Sequence, residues 1–314
     1  MPTSQSNIIF MGSPRFAVPT LDALIEAADF QVGCVVSQPD RPKGRGRQLA
    51  ATPVKQRALD SGLLVLEMTK KNYHEIVAQL TSLAPVFVVV AAFGLILRDD
   101  LLMLPASGCI NLHPSLLPRY RGVSPVQSVL LSGDSQTGCT TMMMDAGVDT
   151  GDLLLARSID IADDDNAGTL EAKLALLGAP LVIETLRGIL AGTIQPKKQD
   201  EALATYTKKV RKEHGLIDWT QTDEAIRRRI QAMNPWPAAY TSYRGRRVIV
   251  LEARVCDGPR RAGRPGEVVS LDPLVVAAGR GAVELVAVKV EGKRAMPAGD
   301  FQRGYRLREA DHLG

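Results

Sequence analysis

Val86-Phe87-Val88-Val89-Val90 lies within an apolar run, residues 83–97, that also holds Pro85 and Gly94. The run is too short to cross a bilayer and is interrupted by two helix-hostile residues. It therefore reads as a strand buried on both faces, the kind found in parallel sheets. Working outward, the first 200 residues alternate short apolar runs with helical patterns. Strands are expected at 8–11, 31–36, 63–67, 86–92 and 109–112, with helices at 16–28, 54–61 and 73–80. After residue 113 the pattern predicts a loop, a helix over 124–131, strands over 140–144 and 153–161, and a long helix over 169–190. Asp163-Asp164-Asp165-Asn166 precedes that helix and is expected to cap it and complement its dipole.

A chain of 314 residues exceeds one comfortable core, so two domains are expected. Residues 192–205 carry Pro196, polar side chains and no period, and read as a linker. Beyond them come one helix, 222–233, and short strands separated by Gly and Pro turns. The expected architecture is α/β. A Rossmann-like doubly wound parallel sheet over 1–191 is joined through 192–205 to a small OB-like β-barrel over 206–314. Residues 1–205 hold 17 Lys and Arg against 21 Asp and Glu, net −4, whereas residues 206–314 hold 21 against 13, net +8. That asymmetry fits a polyanionic partner for the tail. Four scattered cysteines without a C-x-x-C pair argue against a disulfide framework and a structural zinc site. Met1 to Ser6 shows no secretory pattern and no run is long enough for a membrane span, so a cytoplasmic protein is expected.

Gly12-Ser13-Pro14-Arg15-Phe16 occupies the first strand-to-helix turn, where a dinucleotide site would show G-x-G-x-x-G. That fingerprint is absent, which disfavours a nicotinamide-dependent oxidoreductase. After the second strand, Arg41, Lys43, Arg45 and Arg47 place four cations within seven residues among Gly and Pro. Such a composition suits a mobile arm that orders on nucleic-acid phosphates. Met142-Met143-Met144 reads as buried strand filler, and Asn234-Pro235-Trp236-Pro237 as a rigid aromatic corner used in core or interface packing.

The chemistry concentrates in Cys109-Ile110-Asn111-Leu112-His113-Pro114, followed 36 residues after the histidine by Asp149. Residues i and i+2 of a strand share a face, so Asn111 and His113 present an amide donor and an imidazole together. A distant carboxylate could orient that imidazole. An oxyanion donor beside a proton handler is what acyl transfer needs, and no Ser or Cys stands there as a nucleophile. The substrate is expected to bring its own. A noncatalytic RNA-binding protein would explain the basic tail but leave these three residues idle.

Asn-x-His-x-Ser-Leu-Leu-Pro-x-x-Arg-Gly at 111–122, with Val-Asp-Thr-Gly-Asp at 148–152, resembles the folate-dependent formyltransferase family. The wider likeness includes Ser13 to Ala17, Gln38 to Pro42, Ile217-Asp218-Trp219, Asn234 to Pro237 and Gly292 to Met296, and spans nearly the whole chain. It points to the branch that formylates the α-amine of methionyl initiator tRNA. Glycinamide ribonucleotide is the alternative acceptor, but so small a substrate gives no reason for a tail domain. The resemblance implies 10-formyltetrahydrofolate as co-substrate, no metal and a monomer. It implies catalysis by Asn111, His113 and Asp149, with folate held by Ser115, Leu116, Leu117, Pro118, Phe93, Gly94 and Leu95. The tRNA would meet Arg41, Lys43, Arg45 and Arg47. Phe93 stands where relatives often carry Tyr, Pro114 where some have Gly, and Val148 where Leu is common; these departures touch packing and leave the three polar groups intact.

Overall fold

The computed structural model describes residues 5–43, 48–256 and 263–314. They divide into two compact units. The first comprises Met1–Gly122, Gln136–Asp160 and Glu171–Thr207; the second comprises Val123–Ser135, Ile161–Leu170 and Lys208–Gly314. Residues 192–205, which read as a linker, thus belong with the first unit. The second unit is larger than the stretch from 206 onward.

In the first unit, strands β1 (Ser6–Gly12), β2 (Phe30–Ser37), β3 (Arg41–Lys43), β4 (Gln48–Ala50), β5 (Val65–Glu67), β6 (Phe87–Ala91), β7 (Cys109–His113), β8 (Gln136–Met143) and β9 (Leu153–Asp160) follow in chain order. Seven of them form one sheet in the order β5-β2-β1-β6-β7-β8-β9. β6 is buried along its whole length, as its unbroken β-branched and aromatic run requires. Val88, Val90, Ile9, Met11 and Cys109 pack with Tyr73, Ile76 and Leu80 of a helix, residues 73–81, in one apolar cluster. Burying each large apolar side chain there contributes about 1.5–3 kcal/mol.

The helices in chain order are α1 (Val18–Glu26), α2 (Pro53–Asp60), α3 (Tyr73–Thr81), α4 (Asp99–Leu102), α5 (Pro125–Ser132), α6 (Ala167–Leu190), α7 (Asp223–Met233) and α8 (Ala298–Tyr305). Thr52 caps α2 by accepting from the Lys55 amide at 3.1 Å, with Pro53 in the first turn. Asn166 caps α6 by accepting from the amides of Gly168 and Thr169 at 2.9 and 3.1 Å. Of the 163–166 run, Asn166 supplies the cap, and Asp165 braces it by accepting from the Thr169 hydroxyl at 2.9 Å. α6 approaches β7 closely at Gly178, where a Cβ would press into the Leu112 side chain.

The sheet is not wholly parallel, which corrects the expectation for its far edge. β5 through β7 run parallel, whereas β8 pairs antiparallel with β7, and β9 antiparallel with β8. The connection from β7 to β8 contains only α5, which belongs with the second unit. No crossover helix returns the chain to the amino end of β7, so β8 must run back antiparallel.

In the second unit, β10 (Tyr240–Tyr243), β11 (Arg246–Val255), β12 (Val268–Leu271), β13 (Leu274–Ala277), β14 (Ala282–Val290) and β15 (Met296–Pro297) form an antiparallel sheet. Its main path is β10-β11-β14-β13-β12, with β15 added on β14. Register shifts at Val250/Glu252 and Glu252/Ala253 bend β11 as bulges do. The last residues join the two edges. Val268 N–H donates to Asp311 O at 2.8 Å, and Gly314 N–H to Ser242 O at 3.0 Å. The sheet of the barrel expected from the turn-rich pattern is thereby drawn towards closure, and exposed strand edges are covered.

Candidate active site

β7 lies between β6, which aligns Val90 with Asn111, and β8, which aligns Met142 with Asn111 and Thr140 with His113. The strand pairing holds Asn111 and His113 on one face of an interior strand, 8% and 4% exposed. Among the described residues the Asn111 amide has no hydrogen-bond partner within the protein. Its amide atoms still reach solvent, so its N–H groups are open to an incoming acceptor.

His113 is held differently. Its Nε2 donates to the Tyr120 carbonyl at 3.0 Å, and its Nδ1 lies 3.6 Å from Asp149 Oδ2. Since Nε2 must carry hydrogen to satisfy a carbonyl, Nδ1 is the nitrogen that gains and loses the exchangeable proton, and it faces the carboxylate. Burial pushes the imidazole below its ordinary pKa, opposed by Asp149 and by the bond to Tyr120. Burial thus favours the neutral ring. Asp149 Oδ2 also accepts from the Gly122 amide at 2.7 Å. Asp149 and Tyr120 both have left-handed backbones, with φ of 54° and 63°. Strain of this kind persists where surrounding contacts over-determine the conformation.

No thiolate serves this face. Burial pushes the Cys109 thiol up to about 12 and that of Cys139 likewise to about 12. An imidazole beside an amide donor, with no thiolate nucleophile at hand among the described residues, can stabilise an oxyanion and move one proton.

Comparison with known proteins places the chain. The formyl transferase family matches residues 6–186, and the formyl transferase C-terminal domain matches residues 209–306. The chain belongs to the formyltransferase family. This formyltransferase is 44% identical to the methionyl-tRNA formyltransferase of Geobacter metallireducens over 310 residues, covering 98% of both chains. It is also 44% identical to that of Solibacter usitatus over 307 residues, again covering 98% of each. In structure it is similar to HypX from Aquifex aeolicus in complex with tetrahydrofolic acid, with a TM-score of 0.66 at 16% identity, covering 99% of this chain and 51% of that one. That likeness is one of fold.

The other sequence-predicted residues of the formyltransferase are placed as follows. Ser115 is fully buried and donates to the Arg119 carbonyl at 2.7 Å. Thr140 Oγ1 donates to Ser115 O at 2.7 Å and accepts from the Leu117 amide at 3.1 Å, so the loop after β7 is clamped onto β8. Leu116 and Pro118 are partly exposed. The Phe93 side chain packs in the core cluster, while Gly94 is exposed and Leu95 partly so. Only the main chain of Phe93 is left for polar contact, and its carbonyl already accepts from Gln38 Nε2 at 2.8 Å.

Arg41 and Lys43 lie in β3, which pairs with β4 as a two-stranded ribbon. The base of the expected arm is therefore ordered, because Gln38 anchors it: Arg41 bonds to the Gln38 Oε1. Arg45 and Arg47 lie outside the described residues. Trp236 is 54% exposed, so of the core or interface packing expected for its corner the core half does not apply to the ring.

Sequence reasoning missed a group that surrounds the site. Arg121 is completely buried, and Gln199, Glu201, Thr205 and Tyr206 gather on it and on its neighbours. Arg121 is visible in the sequence as the fixed Arg of the 111–122 motif. The other four sit in a stretch without hydrophobic period, where nothing distinguishes them from linker.

Proposed function

We propose that this protein transfers a formyl group from 10-formyltetrahydrofolate to the α-amino group of methionine carried by initiator tRNA. The observation that carries the chemistry is the unpartnered Asn111 amide on the same strand face as His113. It fits an acyl oxygen, because its N–H groups have no partner among the described residues and are free to donate to an incoming acceptor. The folate supplies the formyl carbon when bound. Asn111 then donates to the oxygen as it gains charge. His113 takes the proton released by the attacking amine on Nδ1 and returns it to the departing folate nitrogen, so the new C–N bond forms as the old one breaks. Asp149 stabilises the imidazolium while it exists. Ser115, Leu116, Leu117, Pro118, Phe93, Gly94 and Leu95 are assigned to the folate side of the site.

Acceptor binding is assigned to the basic stretch with Arg41, Lys43, Arg45 and Arg47, and to the +8 tail. We assign catalysis to the first unit, including the 192–205 stretch that reads as a linker in the sequence, and tRNA binding to the tail, in a cytoplasmic protein acting as a monomer. The family membership and the 44% full-length relatives support this reading over a glycinamide ribonucleotide enzyme or a noncatalytic RNA-binding protein. The test is direct: purified protein with 10-formyltetrahydrofolate, and methionine-charged initiator and elongator tRNAs compared. Formylation of the initiator form is expected. Transfer to glycinamide ribonucleotide alone would overturn the acceptor, and no transfer at all would overturn the reaction.

A further inference from the structure

Residues 199–207 form a strap whose polar contacts converge on the two segments that meet His113, around Tyr120 and Asp149. Arg121 Nε and Nη2 donate to Gln199 Oε1 at 3.0 and 2.8 Å, and its Nη1 and Nη2 donate to the two Glu201 carboxylate oxygens at 2.9 and 2.7 Å. Nη1 also donates to the Tyr206 hydroxyl at 2.9 Å. Anchored in this way, Gln199 turns its Nε2 towards the Asp149 loop and donates to the carbonyls of Asp149 and Gly151 at 2.9 and 2.7 Å. The other arm is tied at Thr205. Its Oγ1 accepts from the Tyr120 amide at 2.8 Å, while its carbonyl accepts from Arg121 N–H at 2.8 Å.

We infer that this strap is a positioning element of the active site, in which Gln199 sets Asp149 and Thr205 sets the Tyr120 carbonyl, so that both nitrogens of His113 are held from outside β7. The inference rests on the assignment of His113 and Asp149 as the catalytic pair. Two residues with left-handed backbones, Tyr120 and Asp149, are the ones gripped, and neither grip comes from the sheet. A fully buried guanidinium satisfied by one amide, one carboxylate and one phenol is an expensive way to anchor a linker. It is a sound way to hold two loops in register, because the planar fork fixes each partner's direction as well as its distance. Asp149 is the charged group facing the imidazole; Arg121 and Glu201 neutralise each other one layer out.

Gln199→Glu separates anchoring from positioning. The carboxylate keeps acceptor oxygens for Arg121 but sets an oxygen against the carbonyls of Asp149 and Gly151. Thr205→Val removes the acceptor for Tyr120, and Thr205→Ser restores it. Steady-state formyl transfer should show kcat lowered about ten- to hundred-fold in Gln199→Glu and Thr205→Val, the loss expected for sub-ångström misplacement. KM for folate and for charged tRNA should stay within about two-fold, and Thr205→Ser should recover turnover. Because Asp149 favours the protonated ring, loosening it should move the acid limb of the kcat/KM profile to lower pH. Wild-type turnover and profile in Gln199→Glu would overturn the inference. So would a loss accompanied by an unmoved profile and a lowered unfolding temperature, which marks a merely structural strap. His113→Asn is run alongside. If it retains turnover, the catalytic assignment fails and takes the strap with it; if it is inactive while Gln199→Glu is normal, the strap alone fails.

Discussion

Asn111 illustrates what a single residue carries here. Its amide has no partner among the described residues yet reaches solvent, so its N–H groups are free to turn to an incoming acyl oxygen. They donate to that oxygen most strongly when it is negative. Asn111→Ala is accordingly expected to lower single-turnover formyl transfer by about 10²–10³-fold with little change in folate affinity. Near-normal rates would remove Asn111 from the chemistry. His113 makes a separate, thermodynamic prediction. Its pKa in the fold lies below the ordinary value of 6.5, so as pH falls through 6.5 the unfolded chain binds a proton that the folded chain does not. Stability attributable to His113 is therefore intact above that value and declines below it, by at most about 1.4 kcal/mol per pH unit. Denaturant unfolding of wild type and His113→Asn between neutral and mildly acidic pH should diverge in that sense, the variant being flatter.

At the scale of elements, β7 and its neighbours are readable because period and burial agree: a strand buried on both faces announces itself by an unbroken apolar run, and its polar exceptions stand out. The loop carrying Asp149 has no such signal. Its position depends on Gly151, where a Cβ would overlap the Met143 carbonyl oxygen at the end of β8. Gly151→Ala must displace main chain two residues from Asp149. We expect it to lower turnover by about ten- to hundred-fold, with a cost in stability of about 1–3 kcal/mol. Full activity in this variant would show that the loop tolerates the shift. The antiparallel run of β8 and β9 is equally hidden, because strand direction depends on where the connecting helix packs and not on residue pattern. For the Trp236 corner, residue type alone does not choose between core and surface: a large aromatic side chain favours burial on average, but its exposure is set by tertiary packing.

For the whole molecule, the two units alternate along the chain, and α5 and residues 161–170 belong with the tail. A fragment of residues 206–314 lacks them, and with them the α5 surface packed on α7. It should unfold without a cooperative transition by calorimetry or denaturant, whereas the full chain unfolds cooperatively. A sharp transition in the fragment would show that the tail is self-sufficient. Replacing Arg41, Lys43, Arg45 and Arg47 by Gln should weaken binding of charged tRNA and reduce the slope of log affinity against log salt by about one for each phosphate that the basic stretch neutralises. An unchanged slope would take the stretch out of the interface. The amino-acid order by itself determined the α/β class, the turn-rich basic tail and the Asn111–His113 pair, since periodicity and i, i+2 geometry are local properties of the chain. Only the tertiary structure decided that 199–207 is part of the site, that Phe93 is core, and that Asp149 reaches His113. The first and last rest on hydrogen bonds between residues 27 to 85 positions apart, and the second on apolar packing between distant elements, which no local pattern encodes.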